Sequence, residues 1–313
     1  MRILVSICYW NSADIIRDSL DAVQGQTWAP DEILIVDNGS TEAADPARYP
    51  AATVVRSELN LGPSGAATIS FKYALEHDYD WIWLLDDDTR APPETLKLLV
   101  ELALADQTYG AGKIGIVAPS HRLLNLGRGW QGNRLTPSGP RPPRLRGDQD
   151  HFTCDSVIWS GALVRTAAVA EVGFPRIGVR GVWEDFSIDY GDIEYAFRIR
   201  SAGYQIAVRT DSVIEHRLGS GICRKVFGLN FYSTNHSAHR RYLYFRNLIF
   251  FWVRLYPRHN WPMLVIWFSY RTSMIVSGIL FFERGRGRKL KACLCGIRDG
   301  LRGRLDGNFV ESG

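Results

Sequence analysis

Three consecutive carboxylates, Asp86, Asp87 and Asp88, follow directly on the apolar run Trp81-Ile82-Trp83-Leu84-Leu85. Like charges this close repel one another, and at the end of a buried strand they either take up protons or hold a cation. A site of one or two carboxylates, its other positions open to water and phosphate, suits Mg²⁺ or Mn²⁺. Other groups in the chain could work beside them. Asp37-Asn38-Gly39-Ser40 closes the apolar run Glu32 to Val36, and Asn60-Leu61-Gly62 precedes Gly65. Glu184, Asp185, Asp189, Asp192 and Glu194 crowd one short stretch, and His216 follows Glu215. Taken alone, the aspartate triplet also fits a solvated acidic turn, and Asp37-Asn38-Gly39 an ordinary turn. Asp192 alone also reads as a cap of the helix it begins.

The elements around these groups favour the chemical reading. Ile3 to Ile7 reads as a buried strand, followed by a helix from about Ser12 to Gln24 with Ser12 as its cap. Glu32 to Val36, Thr53 to Arg56 and Trp81 to Leu85 read as three more strands, with a helix over Gly65 to His77 before the last. Alternating strands and helices predict an α/β fold, a mostly parallel sheet with helices on both faces. Such sheets bind ligands beyond the carboxyl ends of their strands, which is where Asp37 and the Asp86–Asp88 triplet fall. Residues 1–119 therefore read as a nucleotide-binding half. Residues 120–150 hold Arg122, Arg128, Arg134, Arg141, Arg144 and Arg146 among Gly and Pro, without periodicity, and read as a long loop. Ordered patterns resume in 151–228, with a helix over Asp192 to Ala202 that Gly203 ends. A catalytic domain over 1–228 is then followed by a helical region over 229–313.

With 46% hydrophobic and 22% charged residues, the chain is neither disordered nor fibrous. Its charge is unevenly distributed. Residues 217–313 carry 17 Lys and Arg against 4 Asp and Glu, and the preceding residues 20 against 29. A basic tail behind an acidic front points to a polyanionic partner: nucleic acid, an anionic membrane surface or a phosphate-bearing substrate. Cys8, Cys154, Cys223, Cys293 and Cys295 lack metal-ligand spacing and read as reduced thiols of a cytosolic protein. The opening residues do not resemble an export sequence. Trp261 to Phe282 is long enough to span a bilayer, yet Arg271 and its polar neighbours Ser269, Thr272 and Ser273 lie at the middle. A pair of amphipathic helices lying on a membrane, followed by the basic run Arg284 to Lys291, accounts for both features.

The blocks Val36-Asp37-Asn38-Gly39-Ser40-Thr41, Asn60-Leu61-Gly62 with Gly65, and Leu85-Asp86-Asp87-Asp88-Thr89 resemble family-2 glycosyltransferases, which have the GT-A fold. The resemblance continues through Ser160-Gly161-Ala162-Leu163-Val164, Asp189-Tyr190-Gly191-Asp192 and Glu215-His216, with Arg240 to Asn247 and Lys291 to Gly303 similar to the subset that includes bacterial rhamnosyltransferases and galactofuranosyltransferases. It implies that Asp37 binds a pyrimidine base, with Asn38, Asn60, Gly62, Asp86 and Asp87 around the donor. It also implies an Asp-x-Asp metal motif at Asp86 and Asp88, with His216 completing the shell of an Mn²⁺ or Mg²⁺ ion. Asp192 becomes the base of an inverting transfer, with Asp189 and the Glu184-Asp185 pair as rivals. The implied reaction moves rhamnose or galactofuranose from a dTDP- or UDP-sugar to a lipid-linked or polysaccharide acceptor, at the cytoplasmic face of a membrane with an anionic surface. Nucleic acid is not an expected partner. A nucleotidyltransferase would need a basic Gly-rich loop near the amino terminus, which Cys8-Tyr9-Trp10-Asn11-Ser12 does not supply. A nonenzymatic module binding nucleic acid through Arg, Tyr and Phe of 240–254 is the other alternative.

Overall fold

The computed structural model describes residues 1–109, 113–123, 128–130, 132–143, 149–175, 189–216, 222–226, 229–257, 260–306 and 309. The chain opens with β1 (Ile3–Tyr9), α1 (Ile16–Gln24), β2 (Glu32–Asn38), β3 (Thr53–Ser57), α2 (Gly62–Glu76), β4 (Trp81–Asp86) and α3 (Thr95–Tyr109). Then come β5 (Ile114–Leu123), β6 (Arg128–Trp130), β7 (Arg134–Thr136), β8 (Gly139–Arg141), β9 (His151–Cys154), β10 (Leu163–Arg165), α4 (Thr166–Val172), α5 (Gly191–Ser201) and β11 (Gln205–His216). The hairpin β12 (Ile222–Val226) and β13 (Leu229–Ser233) leads to α6 (Ala238–Phe250), α7 (Trp261–Phe282) and α8 (Arg286–Arg302).

The main sheet runs β3-β2-β1-β4-β10-β5-β11-β9, with β6 paired to β5. β1 to β4 are parallel, and β10 enters antiparallel between β4 and β5. β1, β2 and β4 are near-continuous apolar runs because both faces of the sheet are covered. Ile3, Val5, Ile7, Trp81, Trp83 and Leu85 bury toward Ile16, Leu20 and Val23 of α1 and Leu96, Leu99 and Val100 of α3. Leu4, Leu34, Val36, Ile82 and Leu84 bury on the other face with Phe71 of α2, Val169 of α4 and Tyr195 of α5. With the sheet held from both sides, the carboxyl ends of β1, β2 and β4 form a single rigid edge.

Three local expectations need correction. α1 starts at Ile16 with no side-chain cap, and Ser12 contributes its carbonyl oxygen to the amides of Ile15 and Ile16 instead. α2 starts at Gly62, earlier than the Gly- and Pro-rich letters suggest, because Pro63 fits a first helical turn. The described residues of 120–150 are not one loop: β5 runs on to Leu123, β6 pairs with it, and β7 pairs with β8. Three-residue strands are too short to leave a periodic signal in sequence.

The carboxyl-terminal helices are built on polar as well as apolar contacts. Gly296 and Gly300 let α8 lie directly on α6: a Cβ at these positions would come within 2.4 Å of the Tyr242 carbonyl oxygen and 2.7 Å of that of Arg246. Glu283 is buried and accepts from Arg241 Nη2 at 2.6 Å and Lys289 Nζ at 2.7 Å. The pair of helices expected over Trp261 to Phe282 is one continuous helix, α7, whereas α6 is an interior helix, since its Arg241, Arg246 and Asn247 are all buried. Its alternation of Arg and aromatic residues is a packing pattern. α7 differs. Leu264, Gly278 and Ile279 face inward, while Trp261, Val265, Ile266, Tyr270, Met274 and Phe281 are exposed. Among the described residues it is the one helix long and apolar enough to cross a membrane.

Candidate donor and base site

The aspartate triplet sits in a turn that is fixed from three directions. Asp86 N donates to Thr89 Oγ1 at 3.2 Å while Thr89 N donates to the Asp86 carbonyl at 3.2 Å, which closes the turn on itself. Ser19 of α1 donates to the carbonyls of Asp87 at 2.7 Å and Thr89 at 2.9 Å. From the other side Thr89 Oγ1 meets Ser160 Oγ at 2.7 Å, and the Ser160 carbonyl lies 2.8 Å from His121 Nε2. The Ser160-Gly161-Ala162 segment is in turn tied to β4, because Trp83 Nε1 donates to the Gly161 carbonyl at 3.0 Å. Gly161 is required there: its φ is +82°, and a Cβ would lie 2.5 Å from Ile214 Cδ1 and 2.8 Å from Pro119 Cγ. Desolvation, followed by repulsion from Asp86 and Asp88, pushes the Asp87 carboxyl up to about 6. The same crowding reaches β1, where burial and then the charges of Asp86, Asp87 and Asp37 push the Cys8 thiol up.

Asp37 and Asn38, at the end of β2, are turned into the protein. Asp37 is fully buried, accepting from Ser40 N at 2.9 Å and Ala44 N at 3.0 Å, and pairing with Arg56 Nη1 at 3.2 Å. Asn38 clasps the start of α2: its Nδ2 donates to Asn60 Oδ1 at 3.2 Å and the Gly62 carbonyl at 3.1 Å, and its Oδ1 accepts from Leu61 N at 3.0 Å. Asn60 Oδ1 accepts from Gly62 N at 2.9 Å. Gly62 takes φ +69°. In this arrangement the four residues shape and brace the loops at the sheet edge.

The second half of the chain supplies the Asp189–Asp192 turn. Asp189 and Tyr190 both adopt left-handed backbone, with φ +54° and +68°. Each non-glycine residue there costs about 1–2 kcal/mol, so the turn must be held by its surroundings. Arg240 of α6 grips the Asp189 carboxylate with Nε and Nη2, each at 3.2 Å, and Asn247 Nδ2 donates to the Asp189 carbonyl at 3.0 Å. Asp192 lies in the first turn of α5, whose cap position is Tyr190, and its Oδ1 accepts from Ile193 N at 2.8 Å. That bond and the helix amino terminus favour the charged form. Desolvation overrides them, helped by the charges of Asp189 and Asp86, and pushes the carboxyl up to about 7.

The charge of Asp86, far away in sequence, acts on Asp192, and Asp87 and Asp88 follow Asp86 in the chain. Asp189, a rival for the base, is engaged by Arg240 instead. Glu184 and Asp185 lie outside the described residues. His216 ends β11, and the antiparallel bridge between Arg90 and Glu215 carries the strand end toward Thr89 and Asp88; its side chain lies outside the described residues. Among the described residues no three His, Cys, Asp or Glu side chains gather as a complete metal shell. The oxygen donors of Asp86 and Asp88 nevertheless fit a hard divalent cation that takes its remaining ligands from phosphate and water. Sequence reasoning missed Ser19, whose role rests on a helix packing over the turn and leaves no signal in the letters around it. Arg240 and Asn247 bound the Arg- and aromatic-rich stretch of the sequence, but nothing in its letters points to Asp189.

The parallel edge of β1, β2 and β4, with an aspartate-bearing turn at its carboxyl end, agrees with the comparisons. Residues 4–169 match the model described as Glycosyl transferase family 2. The chain belongs to that family. A galactofuranosyltransferase GlfT1 of Mycobacterium tuberculosis (strain CDC 1551 / Oshkosh) is 28% identical over 221 residues, which cover 66% of this chain and 67% of that protein. The GlfT1 of Mycolicibacterium smegmatis is 32% identical over 184 residues, 54% of this chain and 58% of that one. Among solved structures, S. aureus TarS 1–349 in complex with UDP-GlcNAc superposes with a TM-score of 0.57 at 16% identity, covering 97% of this chain and 82% of that one. GalNAc-T7 with UDP, GalNAc and Mn²⁺ gives 0.55 at 13% identity, covering 88% and 54%. The family-2 glycosyltransferase described here thus has the GT-A fold, and Asp192 and α6 lie beyond the stretch that the family model matches.

Proposed function

We propose that this glycosyltransferase is an inverting enzyme that moves galactofuranose, or rhamnose as the second choice, from a UDP- or dTDP-sugar to a lipid-linked or polysaccharide acceptor. The observation that carries the reading is Asp192, a carboxyl pushed up to about 7 by burial and by charges that include Asp86 of the triplet. A base with a pKa near the working pH combines the correct ionisation with useful proton affinity. Asp37, Asn38, Asn60 and Gly62 form the nucleoside end of the donor site by bracing its loops. Asp86 and Asp88 hold Mn²⁺ or Mg²⁺, with His216 as a further ligand and Asp87 beside the donor. When bound, the cation offsets the negative charge of the departing diphosphate. Ionised Asp192 accepts the proton of the acceptor hydroxyl as its oxygen bonds to the anomeric carbon. The bond from that carbon to the diphosphate oxygen breaks on the opposite face, and its electron pair leaves with the nucleoside diphosphate.

Catalysis is assigned to residues 1–228 and surface attachment to 229–313. The exposed apolar face of α7, followed by Arg284, Arg286 and Arg288, supports docking on an anionic membrane at the cytoplasmic side. The relatives named galactofuranosyltransferases support the choice of sugar. The test is a panel of UDP- and dTDP-sugars assayed with Mn²⁺, Mg²⁺ or EDTA, on the wild type, Asp88→Ala and Asp192→Asn. Activity should require the cation and be lost in both variants, with UDP binding retained in Asp192→Asn alone. Full turnover in EDTA removes the metal assignment, and normal turnover of Asp192→Asn removes the base.

A further inference from the structure

The catalytic assignment leaves unused a stretch that stands out in the sequence, Arg240 to Asn247. These two residues are seven positions apart on α6 and so lie on one helix face. Both engage the same residue. Arg240 holds the Asp189 carboxylate through two parallel bonds, and Asn247 holds the Asp189 backbone carbonyl. Side chain and main chain of Asp189 are fixed together, which restrains the residue in rotation as well as in position. Tyr190, the next residue, is fixed by the turn that follows α6: its hydroxyl accepts from Trp252 Nε1 at 3.4 Å and its ring leans on Phe251 with centroids 5.8 Å apart. Neither residue of the left-handed pair is glycine, so the chain does not adopt this turn for local reasons. It adopts the turn because α6 imposes it. The turn runs directly into α5, where Asp192 is the second residue, so its geometry sets where that carboxylate points.

We propose that Arg240 and Asn247 are positioning residues of the transfer step: by gripping Asp189 they hold the left-handed turn that aims Asp192 at the acceptor hydroxyl. The proposal rests on Asp192 being the base. It assigns the carboxyl-terminal helices a part in catalysis in addition to any part in membrane docking. Neither residue is placed near the donor-phosphate end, so their loss should slow turnover and spare donor binding.

The experiment measures UDP release from UDP-galactofuranose with an alkyl glycoside acceptor, alongside UDP binding by calorimetry, on the full chain. Arg240→Ala and Asn247→Ser should each lower kcat roughly 10- to 100-fold, as misplacement of a catalytic group does, with the donor KM and the UDP Kd within about twofold of wild type. Arg240→Lys, which keeps one charged bond, should recover part of the loss. Because the pair acts as a unit, Arg240→Ala combined with Asp189→Ala should fall no further than the worse single variant. In an Asp192→Asn background Arg240→Ala should change nothing more. A wild-type kcat in Arg240→Ala, or a loss that multiplies with that of Asp192→Asn, overturns the proposal. Normal turnover of Asp192→Asn instead defeats the base assignment, a distinguishable result. If Arg240→Ala does not fold by circular dichroism, Arg240→Lys and Asp189→Asn decide: an unchanged kcat in both refutes the positioning role.

Discussion

Asp192 should impose its own titration on the reaction. Its carboxyl is pushed from the ordinary 3.8 up to about 7, by burial first and then by the charges of Asp189 and Asp86. Only the ionised form can accept a proton, so about half the enzyme is competent at pH 7 and about a tenth at pH 6. The value of kcat/KM should therefore fall about tenfold per unit below 7 and level off above about 8. Because Asp86 is one of the repelling charges, a cation on Asp86 and Asp88 should move this acid limb to lower pH. Asp192→Asn keeps the shape and removes the base, at a cost of about 10²- to 10⁴-fold in rate. Its residual activity should show no limb near 7. The assay is UDP release between pH 5 and 9 at constant ionic strength, at limiting and saturating Mn²⁺. A flat wild-type profile across that range, or a limb that survives in Asp192→Asn, would refute the reasoning. Stability supplies an independent check. A carboxyl raised on folding contributes stability below its unfolded pKa, and that contribution is lost as pH rises through 7. Asp192→Asn should accordingly melt at a higher temperature than wild type at pH 8, with the difference shrinking toward pH 5.

Other substitutions test the scaffold and the surface. Gly161→Ala combines a positive φ with a Cβ 2.5 Å from Ile214 Cδ1, and should cost about 1–3 kcal/mol in denaturant unfolding. Glu283→Ala strands Arg241, whose side chain is only 4% exposed, and should cost about 3–5 kcal/mol in the same assay. Paired Ile266→Glu and Phe281→Glu changes on the exposed face of α7 should abolish cosedimentation with phosphatidylglycerol vesicles while leaving the melting temperature unchanged; unaltered vesicle binding would remove α7 from the docking surface. Wild-type binding to the same vesicles should weaken as salt rises, because the Arg284 to Lys291 run contributes through screened charge.

Much of the edge that carries the site could be read in the letters. Buried parallel strands must be apolar nearly throughout, so Ile3–Ile7, Glu32–Val36 and Trp81–Leu85 announced themselves, and the polar residues that stop them fell where such sheets bind ligands. The motif blocks then named a family that the comparison with its model bears out. The short strands of 120–150 went unread because three residues carry no period. The buried state of α6 went unread because Arg alternating with Tyr and Phe looks the same on a surface as in an interior where each guanidinium finds a partner.

What the sequence determined by itself was local: residue types, periodicity, and a set of carboxylates at strand ends whose mutual repulsion pointed to a cation. Which carboxylate does what depended on distances that cross the chain. Asp37 carries the first motif, yet folding turns it inward onto Ser40, Ala44 and Arg56. Asp189 and Asp192 are three residues apart and equally acidic on paper. The fold separates them by giving Asp189 a guanidinium from α6 and leaving Asp192 desolvated, with the charges of Asp189 and Asp86 acting on it. The free energy of a charge depends on the solvent and partners around it, and for these residues the partners come from elements that sequence does not place beside them.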